Sequence, residues 1–259
     1  MIEIPDPRQD ALGYKACCAA LYESEAIRFL LGDAMRPGGI ALTRQMLVAA
    51  GINAGERVLD VACGAADSRS AVETLGALYC GVDLGVSNLA RAVGSRLAAE
   101  AERLPFRDGS FDAVMVQCAF CTFPDKSAAA AELARVLKPG GRLLLADVTL
   151  NCDCIPPELD SVFALAACLA DARPMLGYAS FVEAAGLRVQ MMQDCPDAAT
   201  RFLRDIDRKL FMVRIAQAVK AVDLDGVDIV EARRLLKLGM QMVERGDLSY
   251  GYVIAEKPA

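Results

Sequence analysis

The stretch from Val58 to Asp67 constrains the fold most strongly, because it reads as a buried strand that turns directly into a helix. It consists of an apolar run that contains Asp60, followed by small residues and then by Asp67. A turn of this kind needs small residues where a ligand approaches the backbone and the helix N-terminus. The stretch therefore predicts an α/β fold with a nucleotide-binding site at this turn.

A second apolar run, Leu78 to Val82, ends in Asp83, about 20 residues beyond the turn. An acidic residue at this spacing is placed to accept hydrogen bonds from both hydroxyls of a ribose. The turn alone is weak evidence for a nucleotide-binding site, whereas the turn together with this carboxylate is a much more specific signal for one.

Four stretches together resemble the class I S-adenosylmethionine-dependent methyltransferases, over about two thirds of the chain. They are V-L-D-V-A-C-G-A-A-D at 58–67, G-V-D-L at 81–84, A-E-R-L-P-F at 101–106 with F-D-A-V at 111–114, and L-K-P-G-G-R-L at 137–143. The resemblance implies S-adenosyl-L-methionine as the cofactor. It also implies a Rossmann-like, seven-stranded, mostly parallel sheet with helices on both faces, an N-terminal helical segment and a helical insertion before the last strand.

The chain is expected to divide into three parts of one sheet-based unit, since 259 residues with 54% hydrophobic composition are ample for one large core. Residues 1–51 are predicted to form a helical segment over the cofactor site. Residues 52–150 form the cofactor-binding core, and residues 151–259 supply substrate-side helices, the insertion and the closing strands.

The strand and helix alternation supports a parallel sheet. Strands are predicted at 57–62, 78–83, 96–99, 111–117, 142–148, 187–192 and 250–255. Helices are predicted at 41–50, 66–75, 86–93, 126–138, 158–170 and 178–185, with two short ones within 11–31 and a charged helical pattern over 196–245 that breaks at 223–226.

The resemblance assigns a cofactor-binding role to eight residues. They are Asp60, Ala62, Gly64, Asp83, Leu84, Glu100, Ala101 and Gln117. In the family, an acidic residue at the place of Glu100 contacts the adenine amino group, and the next backbone amide, here that of Ala101, contacts a ring nitrogen. The alternative for Glu100 is an ordinary solvated loop carboxylate.

The turn departs from the family, which carries three glycines where this chain has Ala62, Gly64 and Ala66. Alanine is tolerated at a negative φ and strained at a positive one, so we expect only Gly64 to adopt a positive φ. The substitutions leave open weaker cofactor binding or a module that binds without catalysis.

The composition of the chain makes several classes of function less plausible and favours others. A net charge of −6 with interspersed signs argues against a nucleic-acid partner and favours a small-molecule substrate. No apolar run is long enough for a membrane span and the start does not resemble a signal peptide, so a cytoplasmic protein is expected. The absence of histidine removes the commonest general base and metal ligand, and no metal site is predicted. The ten cysteines are expected to be reduced thiols.

Further stretches resemble the arsenite methyltransferases more than other branches. They are Q-C-A-F-C-T-F-P-D-K at 117–126, L-A-D-V at 145–148, P-E-L at 157–159 and A-C-L-A-D-A at 167–172. In that branch one cysteine follows the fourth strand and a second lies on a later helix, and together they hold trivalent arsenic. The corresponding residues are Cys118 and Cys168, which this resemblance makes both catalytic and substrate-binding.

Arsenic suits a site without histidine, because a trivalent metalloid binds thiolates and its own lone pair takes the methyl group. Cys17 or Cys18 would supply a third thiol, with Cys121, Cys152 and Cys154 as rivals. A thiol reductant such as glutathione or thioredoxin would then be a partner.

The alternative is methylation of an oxygen, nitrogen or carbon of a small organic metabolite. Asp147, Tyr178 or Glu183 would then be the candidate general base. A non-catalytic module that binds cofactor or arsenic is a third possibility. The oligomeric state is left open by the sequence.

Overall fold

The structure, a computed structural model, describes residues 36–91, 94–151, 171–218 and 229–259, together with residues 10, 13, 20, 22, 23, 29, 156, 159 and 169. Of residues 214–218 it describes the backbone only. The helices predicted within 11–31 and at 158–170, and the break at 223–226, lie outside or largely outside these residues.

The described elements alternate between strands and helices along the core. The strands are β1 (Arg57–Val61), β2 (Leu78–Asp83), β3 (Arg96–Ala98), β4 (Phe111–Gln117), β5 (Leu137–Leu150), β6 (Arg188–Asp194) and β7 (Leu248–Glu256). The helices are α1 (Gly39–Ala49), α2 (Arg69–Thr74), α3 (Val86–Arg91), α4 (Lys126–Val136), α5 (Met175–Ala184), α6 (Pro196–Ala218) and α7 (Ile229–Arg245), with a 3₁₀ turn at Phe120–Thr122.

Within the described part of the chain, seven strands form one sheet in the order β3-β2-β1-β4-β5-β7-β6. The pairs β2–β3, β1–β2, β1–β4 and β4–β5 are parallel, and β7 runs antiparallel to both β5 and β6. The predicted Rossmann-like, mostly parallel sheet is confirmed. The strand order reverses between β1 and β4, which is where an open α/β sheet forms a ligand crevice outside the carboxyl ends of its strands.

The core lies in two layers, because both faces of the central strands are buried. In β4, Met115 packs in the cluster that contains Met46 and Leu47 of α1, whereas Val114 packs in the cluster that contains Leu133 of α4. This alternation follows the two-residue period of a strand. It explains the nearly continuous apolar sequence of β4, which is typical of a strand covered on both faces.

The helical insertion before the last strand is formed by α6 and α7. A separate small cluster of buried residues, Ile206, Leu210, Val213, Ile229 and Leu236, joins these two helices. None of the helices that the structure describes is both long and apolar enough to cross a membrane.

Several predicted boundaries differ from the structure, among them those of α2, α4 and β5. Helix α2 begins at Arg69 rather than at 66, because residues 64–68 still form turns. Helix α4 ends at Val136, and β5 begins already at Leu137, beside Phe111. Strand β5 also continues to Leu150, since β7 pairs with it from Arg142 to that residue.

Candidate functional site

An open cleft lies at the carboxyl ends of β1, β2 and β4. Seven of the eight predicted cofactor residues line it: Ala62, Gly64, Asp83, Leu84, Glu100, Ala101 and Gln117. Arg36, Asp67 and Cys118 also line it. The sheet topology thus brings segments that are distant in sequence to a single site.

The turn after β1 is left-handed at three positions. Ala62 has φ 58°, Gly64 has φ 56° and Ala66 has φ 64°. The prediction for Gly64 is confirmed, whereas the expectation of negative φ at the two alanines is wrong. The strand-to-helix reversal imposes this geometry whatever the side chain, and each alanine carries a strain of roughly 1–2 kcal/mol.

Asp83 connects the end of β2 to this turn. Its Oδ2 accepts a hydrogen bond of 2.7 Å from the Gly64 amide, and its Oδ1 accepts one of 2.7 Å from the Gly85 amide. Burial raises the pKa of Asp83, while these two amide hydrogen bonds lower it. Each carboxylate oxygen can accept a second hydrogen bond, so the group is oriented and still able to receive ribose hydroxyls.

The predicted adenine side of the cleft is formed by Leu84 and the segment after β3. Leu84 is 40% exposed and Ala101 is 7% exposed, so both offer apolar surface at the cleft. A tight turn, closed by the hydrogen bond of 3.1 Å from the Arg103 amide to the Glu100 carbonyl oxygen, holds the segment in place. Glu100 lines the cleft rather than lying on a remote loop, and its adenine contact stays a prediction.

Asp60 is the one predicted cofactor residue that does not line the cleft. Its side chain is 2% exposed, and its Oδ2 accepts a hydrogen bond of 2.9 Å from the Tyr79 hydroxyl. Burial raises the pKa of Asp60 to about 7, and the nearby Arg36 charge is the strongest opposing influence. Asp60 therefore lies beneath the turn and supports it, which corrects the predicted direct role.

Gln117 lines the cleft and is held by polar residues that the sequence argument missed. Its Oε1 accepts a hydrogen bond of 2.8 Å from Thr43, and its Nε2 donates one of 3.1 Å to Ser68. Arg36 donates to both hydroxyls at 2.9 Å. Thr43 and Ser68 are 1% and 2% exposed. The available sequence signal was a threonine on the same face of a helix as Met46 and Leu47.

Cys118 follows β4 directly and lines the cleft. It has φ 54°, and its amide donates a hydrogen bond of 2.7 Å to the Ala146 carbonyl oxygen of β5. Cys121 is 2% exposed and is not among the lining residues. Of the other thiols considered for arsenic, namely Cys17, Cys18, Cys152, Cys154 and Cys168, all lie outside the described residues.

The three candidate general bases do not line the cleft. Asp147 is 1% exposed and accepts hydrogen bonds from the amides of Cys121, at 2.9 Å, and Val148, at 2.8 Å. Tyr178 is also buried, and its hydroxyl donates to the Val148 carbonyl oxygen at 2.8 Å. Glu183 is exposed on α5. Their surroundings are those of structural or surface residues.

The family model described as "Methyltransferase domain" matches residues 59–145, the part of the chain that forms this cleft. Over these residues the chain is similar to the class I methyltransferases. Within that class, the predicted cofactor S-adenosyl-L-methionine is confirmed. None of the relatives described next is named as an arsenite methyltransferase.

The chain has relatives of several kinds. A demethylmenaquinone methyltransferase of Mycolicibacterium paratuberculosis is 40% identical over 102 residues, covering 38% of this chain and 44% of that protein. The chain thus spans less than half the length of such relatives. The O-methyltransferase resE of Aspergillus sclerotiorum is 28% identical over 233 residues, covering 83% of this chain and 81% of that protein.

Solved structures share the fold at low sequence identity. The cyclopropane synthase MmaA2 of Mycobacterium tuberculosis is 17% identical with a TM-score of 0.76, covering 94% of this chain and 98% of that one. Phosphoethanolamine N-methyltransferase 2 of Haemonchus contortus, in complex with S-adenosyl-L-methionine, is 17% identical with a TM-score of 0.75, covering 99% of this chain and 61% of that one. At these identities the likeness concerns the fold alone.

Proposed function

We propose that this protein transfers a methyl group from S-adenosyl-L-methionine to an oxygen, nitrogen or carbon of a small organic molecule. The observation that carries this proposal is the single cleft that joins the left-handed turn, Asp83 and Ala101 to the segment after β4. The names of the relatives point the same way, since they are a demethylmenaquinone methyltransferase and an O-methyltransferase.

Each part of the cleft has a distinct task in this proposal. Asp83 accepts the ribose hydroxyls, Ala101 and Glu100 receive the adenine, and the open backbone at Gly64 admits the methionine part of the cofactor. The bound cofactor supplies an electrophilic methyl group on a sulfonium. The protein contributes orientation, because an in-line transfer requires the acceptor atom to be held about 3–3.5 Å from the methyl carbon.

The acceptor is a nucleophile that requires little help from a base. The chain contains no histidine, the three predicted bases lie away from the cleft, and the cleft wall supplies carboxylates such as Asp67 and Glu102 but no imidazole. A neutral amine already carries a lone pair, and an acidic phenol or an activated carbon acid ionises near neutral pH without a strong base. These classes fit the cleft better than an alcohol of ordinary acidity.

Cofactor binding is tested first, by titration calorimetry with S-adenosyl-L-methionine. Replacement Asp83→Asn exchanges one acceptor oxygen for an amide group that donates and removes the negative charge, and it is expected to weaken binding by at least about tenfold. Asp205→Asn is a matched control, since Asp205 is exposed on α6 and remote from the cleft. Absence of measurable binding to the wild-type protein would refute the proposal.

Methyl transfer is then measured with a cofactor that carries a labelled methyl group. The acceptors are a secondary amine, a hydroquinone and a 1,3-dicarbonyl compound, which represent nitrogen, oxygen and carbon nucleophiles. We expect label in one of these classes, and more label at a pH at which that acceptor is unprotonated. Binding without transfer to any acceptor, arsenite included, would support the non-catalytic module instead.

Transfer to trivalent arsenic is the second candidate, and Cys118 in the wall of the cleft is the observation that favours it. Two or three thiolates are needed to hold arsenic, so Cys168 and one of Cys17 or Cys18 would have to reach the same space. Glutathione or thioredoxin would be required as the reductant. The buried Cys121 is poorly suited to this role.

Serine substitutions separate the two candidates. Cys118→Ser and Cys168→Ser are assayed with arsenite, glutathione and the cofactor, with Cys80→Ser of strand β2 as the matched control. If arsenic is the acceptor, both substitutions abolish its methylation and the control does not. If an organic acceptor is correct, methylation of that acceptor survives both substitutions within a few fold.

A further inference from the structure

We propose that Lys126 is a positioning residue, which fixes the part of the cleft wall that receives the methyl acceptor. That part, the acceptor wall, is the segment 118–123 that follows β4. It contributes four residues to the cleft, namely Cys118, Ala119, Thr122 and Phe123. Lys126 does not itself line the cleft and acts through these residues. This inference rests on the proposed function, because it concerns the acceptor side of the same cleft.

The acceptor wall is assigned to the acceptor by elimination. The proposed cofactor contacts come from the turn after β1, from Asp83 at the end of β2 and from the segment after β3. The acceptor wall follows β4, the other neighbour of β1 in the sheet, and has no task in holding the ribose or the adenine. Methyl transfer requires the acceptor atom within about 3–3.5 Å of the methyl carbon, so a small displacement of this wall is costly.

The ammonium group of Lys126 has a partner for each of its three donors. It donates hydrogen bonds to the carbonyl oxygens of Cys121, at 2.8 Å, and Phe123, at 3.1 Å. Its third hydrogen bond, of 2.5 Å, goes to the Oδ2 of Asp171. Lys126 is only 5% exposed, and a lysine is almost never buried to this extent unless its charge is paired. The side chain thus holds two backbone carbonyl groups of the acceptor wall.

The place of Lys126 along the chain is unfavourable for a lysine in a helix. Lys126 is the first residue of α4, directly after Asp125. The partial positive charge at a helix N-terminus disfavours a cation in the first turn. The lysine is therefore explained by the three acceptors that it meets, and not by the formation of α4.

Asp147 of β5 holds the same segment from the side of the sheet. Its Oδ2 accepts a hydrogen bond of 2.9 Å from the Cys121 amide. Cys121 is therefore bound through its amide by a carboxyl group and through its carbonyl oxygen by an ammonium group. A hydrogen bond of 2.9 Å from the Thr122 amide to the Ala119 carbonyl oxygen closes the turn between them. The centre of the acceptor wall is fixed from two sides.

Asp171 connects Lys126 to a further segment, residues 171–173, which is attached to the end of β5. The Leu150 amide donates a hydrogen bond of 3.1 Å to the Arg173 carbonyl oxygen, and Asp171 also forms an ion pair with Arg173. Lys126 thereby joins the acceptor wall to the part of the chain that follows β5. Loss of its charge would free the wall from this support and leave Asp171 paired with Arg173.

The first experiment examines the acceptor wall in ligand-free protein. Hydrogen exchange of the Cys121 amide is followed by NMR, because this amide is bound to Asp147 and Cys121 is 2% exposed. Lys126→Met is expected to accelerate this exchange by at least about tenfold. Asp171→Asn, which keeps an acceptor oxygen, should accelerate it less than Asp171→Ala does. The amides of β4 should change much less than that of Cys121.

Lys138→Met is the matched control. Lys138 also forms an ion pair, of 2.7 Å with Asp112, but it lies near the start of β5, at the opposite end of β4 from the acceptor wall. Circular dichroism verifies that each variant is folded. A Cys121 amide that exchanges at the wild-type rate in Lys126→Met, or equally fast in Lys126→Met and Lys138→Met, would overturn the proposal. If Lys126→Met does not fold, Asp171→Ala decides by the same criterion, since the Asp171 side chain is 32% exposed.

A second measurement distinguishes positioning from general destabilisation. The dissociation constant of S-adenosylhomocysteine is measured by calorimetry. KM and kcat are measured with labelled cofactor and whichever of the secondary amine, the hydroquinone and the 1,3-dicarbonyl compound takes the label. Lys126→Met should keep the dissociation constant within about threefold and lower kcat/KM for the acceptor by at least about tenfold. Equal losses of cofactor binding and transfer would show a merely structural lysine and overturn the proposal.

The two experiments separate failure of this inference from failure of the proposed function. Exchange of the Cys121 amide requires neither cofactor nor acceptor. An unchanged exchange rate in Lys126→Met overturns the inference even if the wild type transfers methyl groups. Absence of transfer by the wild type refutes the proposed function, and with it the acceptor role of the wall, whatever the exchange rate is.

Discussion

Asp60 and Asp83 both lie near the carboxyl end of a central strand, yet their surroundings differ. Asp83 is tied to two backbone amides at the cleft, whereas Asp60 is enclosed beneath α1 and next to Tyr79. The sequence shows the same pattern for both, an apolar run and then a carboxylate. The difference arises because Asp60 points to the face that α1 covers, while Asp83 ends its strand at the open edge.

The buried Asp60 predicts a pH-dependent stability. Its pKa is about 7 in the folded protein, above 3.8 for an exposed carboxyl group, so the folded state binds the proton more tightly. The free energy of unfolding therefore falls as the pH rises from about 4 to about 7, by up to about 4 kcal/mol at about 1.4 kcal/mol per pH unit. Asp60→Asn lacks this contribution.

Urea unfolding of the wild type and of Asp60→Asn at about pH 5 and about pH 8 measures this effect. The wild type should lose stability relative to the variant between the two conditions. A difference between the two proteins that does not change with pH would show that Asp60 does not titrate in this range.

The left-handed alanines of the turn predict a stabilising substitution. Ala62→Gly removes the steric strain at φ 58° and is expected to raise the free energy of unfolding by roughly 0.5–1 kcal/mol, since strain relief exceeds the entropy cost of glycine. Ala134→Gly, in the interior of α4, is the control and should lower stability by about 1 kcal/mol. A destabilised Ala62→Gly protein would contradict this account of the turn.

At the scale of elements, the alternation of apolar patterns located most helices and strands, whereas the ends of the strands depended on pairing. The predicted limits of β2 and β4 agree with the structure, because each is bounded by residues that break the strand. Strand β5 is longer than predicted at both ends, since its extra residues pair with β4 and β7. Pairing partners that lie about 100 residues away are not visible in a local pattern.

Helix α4 provides a test at this scale. Asp125 immediately precedes this helix, and its Oδ1 accepts a hydrogen bond of 2.9 Å from the Ala128 amide. Asp125→Ala should lower the free energy of unfolding by about 1 kcal/mol because this amide loses its partner. Ser127→Ala, at an exposed position in the first turn, should change it by less than about half as much. Equal effects of the two substitutions would argue against a capping role.

For the whole molecule, the α6–α7 insertion is buried in two different ways. Ala199, Leu235 and Met242 pack in the large cluster on one face of the sheet, whereas the part around Leu210 is joined by a small cluster of its own. Regions with small cores open at lower free energy than the central strands. The part of the insertion around Leu210 is therefore expected to open at lower free energy than β4.

Native-state hydrogen exchange tests this division. Amides around Leu210 should exchange with a lower opening free energy than those of β4, and Leu210→Ala should lower it further by roughly 2–4 kcal/mol, since Leu210 is 2% exposed. The β4 amides should be unaffected. An equal loss of protection in β4 would indicate that the insertion and the sheet open as one unit.

Local patterns in the sequence were enough to predict the fold class and the cofactor turn, because apolar periodicity and turn chemistry are local properties. The residues of the cleft wall were predicted from the resemblance to a known family. The sequence could not reveal that Arg36, Thr43 and Ser68 surround Gln117, that Asp60 is hidden from the cleft, or that two alanines adopt a positive φ. These features depend on which faces meet when α1 and α2 pack against β1 and β4. Only the tertiary structure shows which faces pack together, because the segments involved are distant in sequence and no local pattern links them.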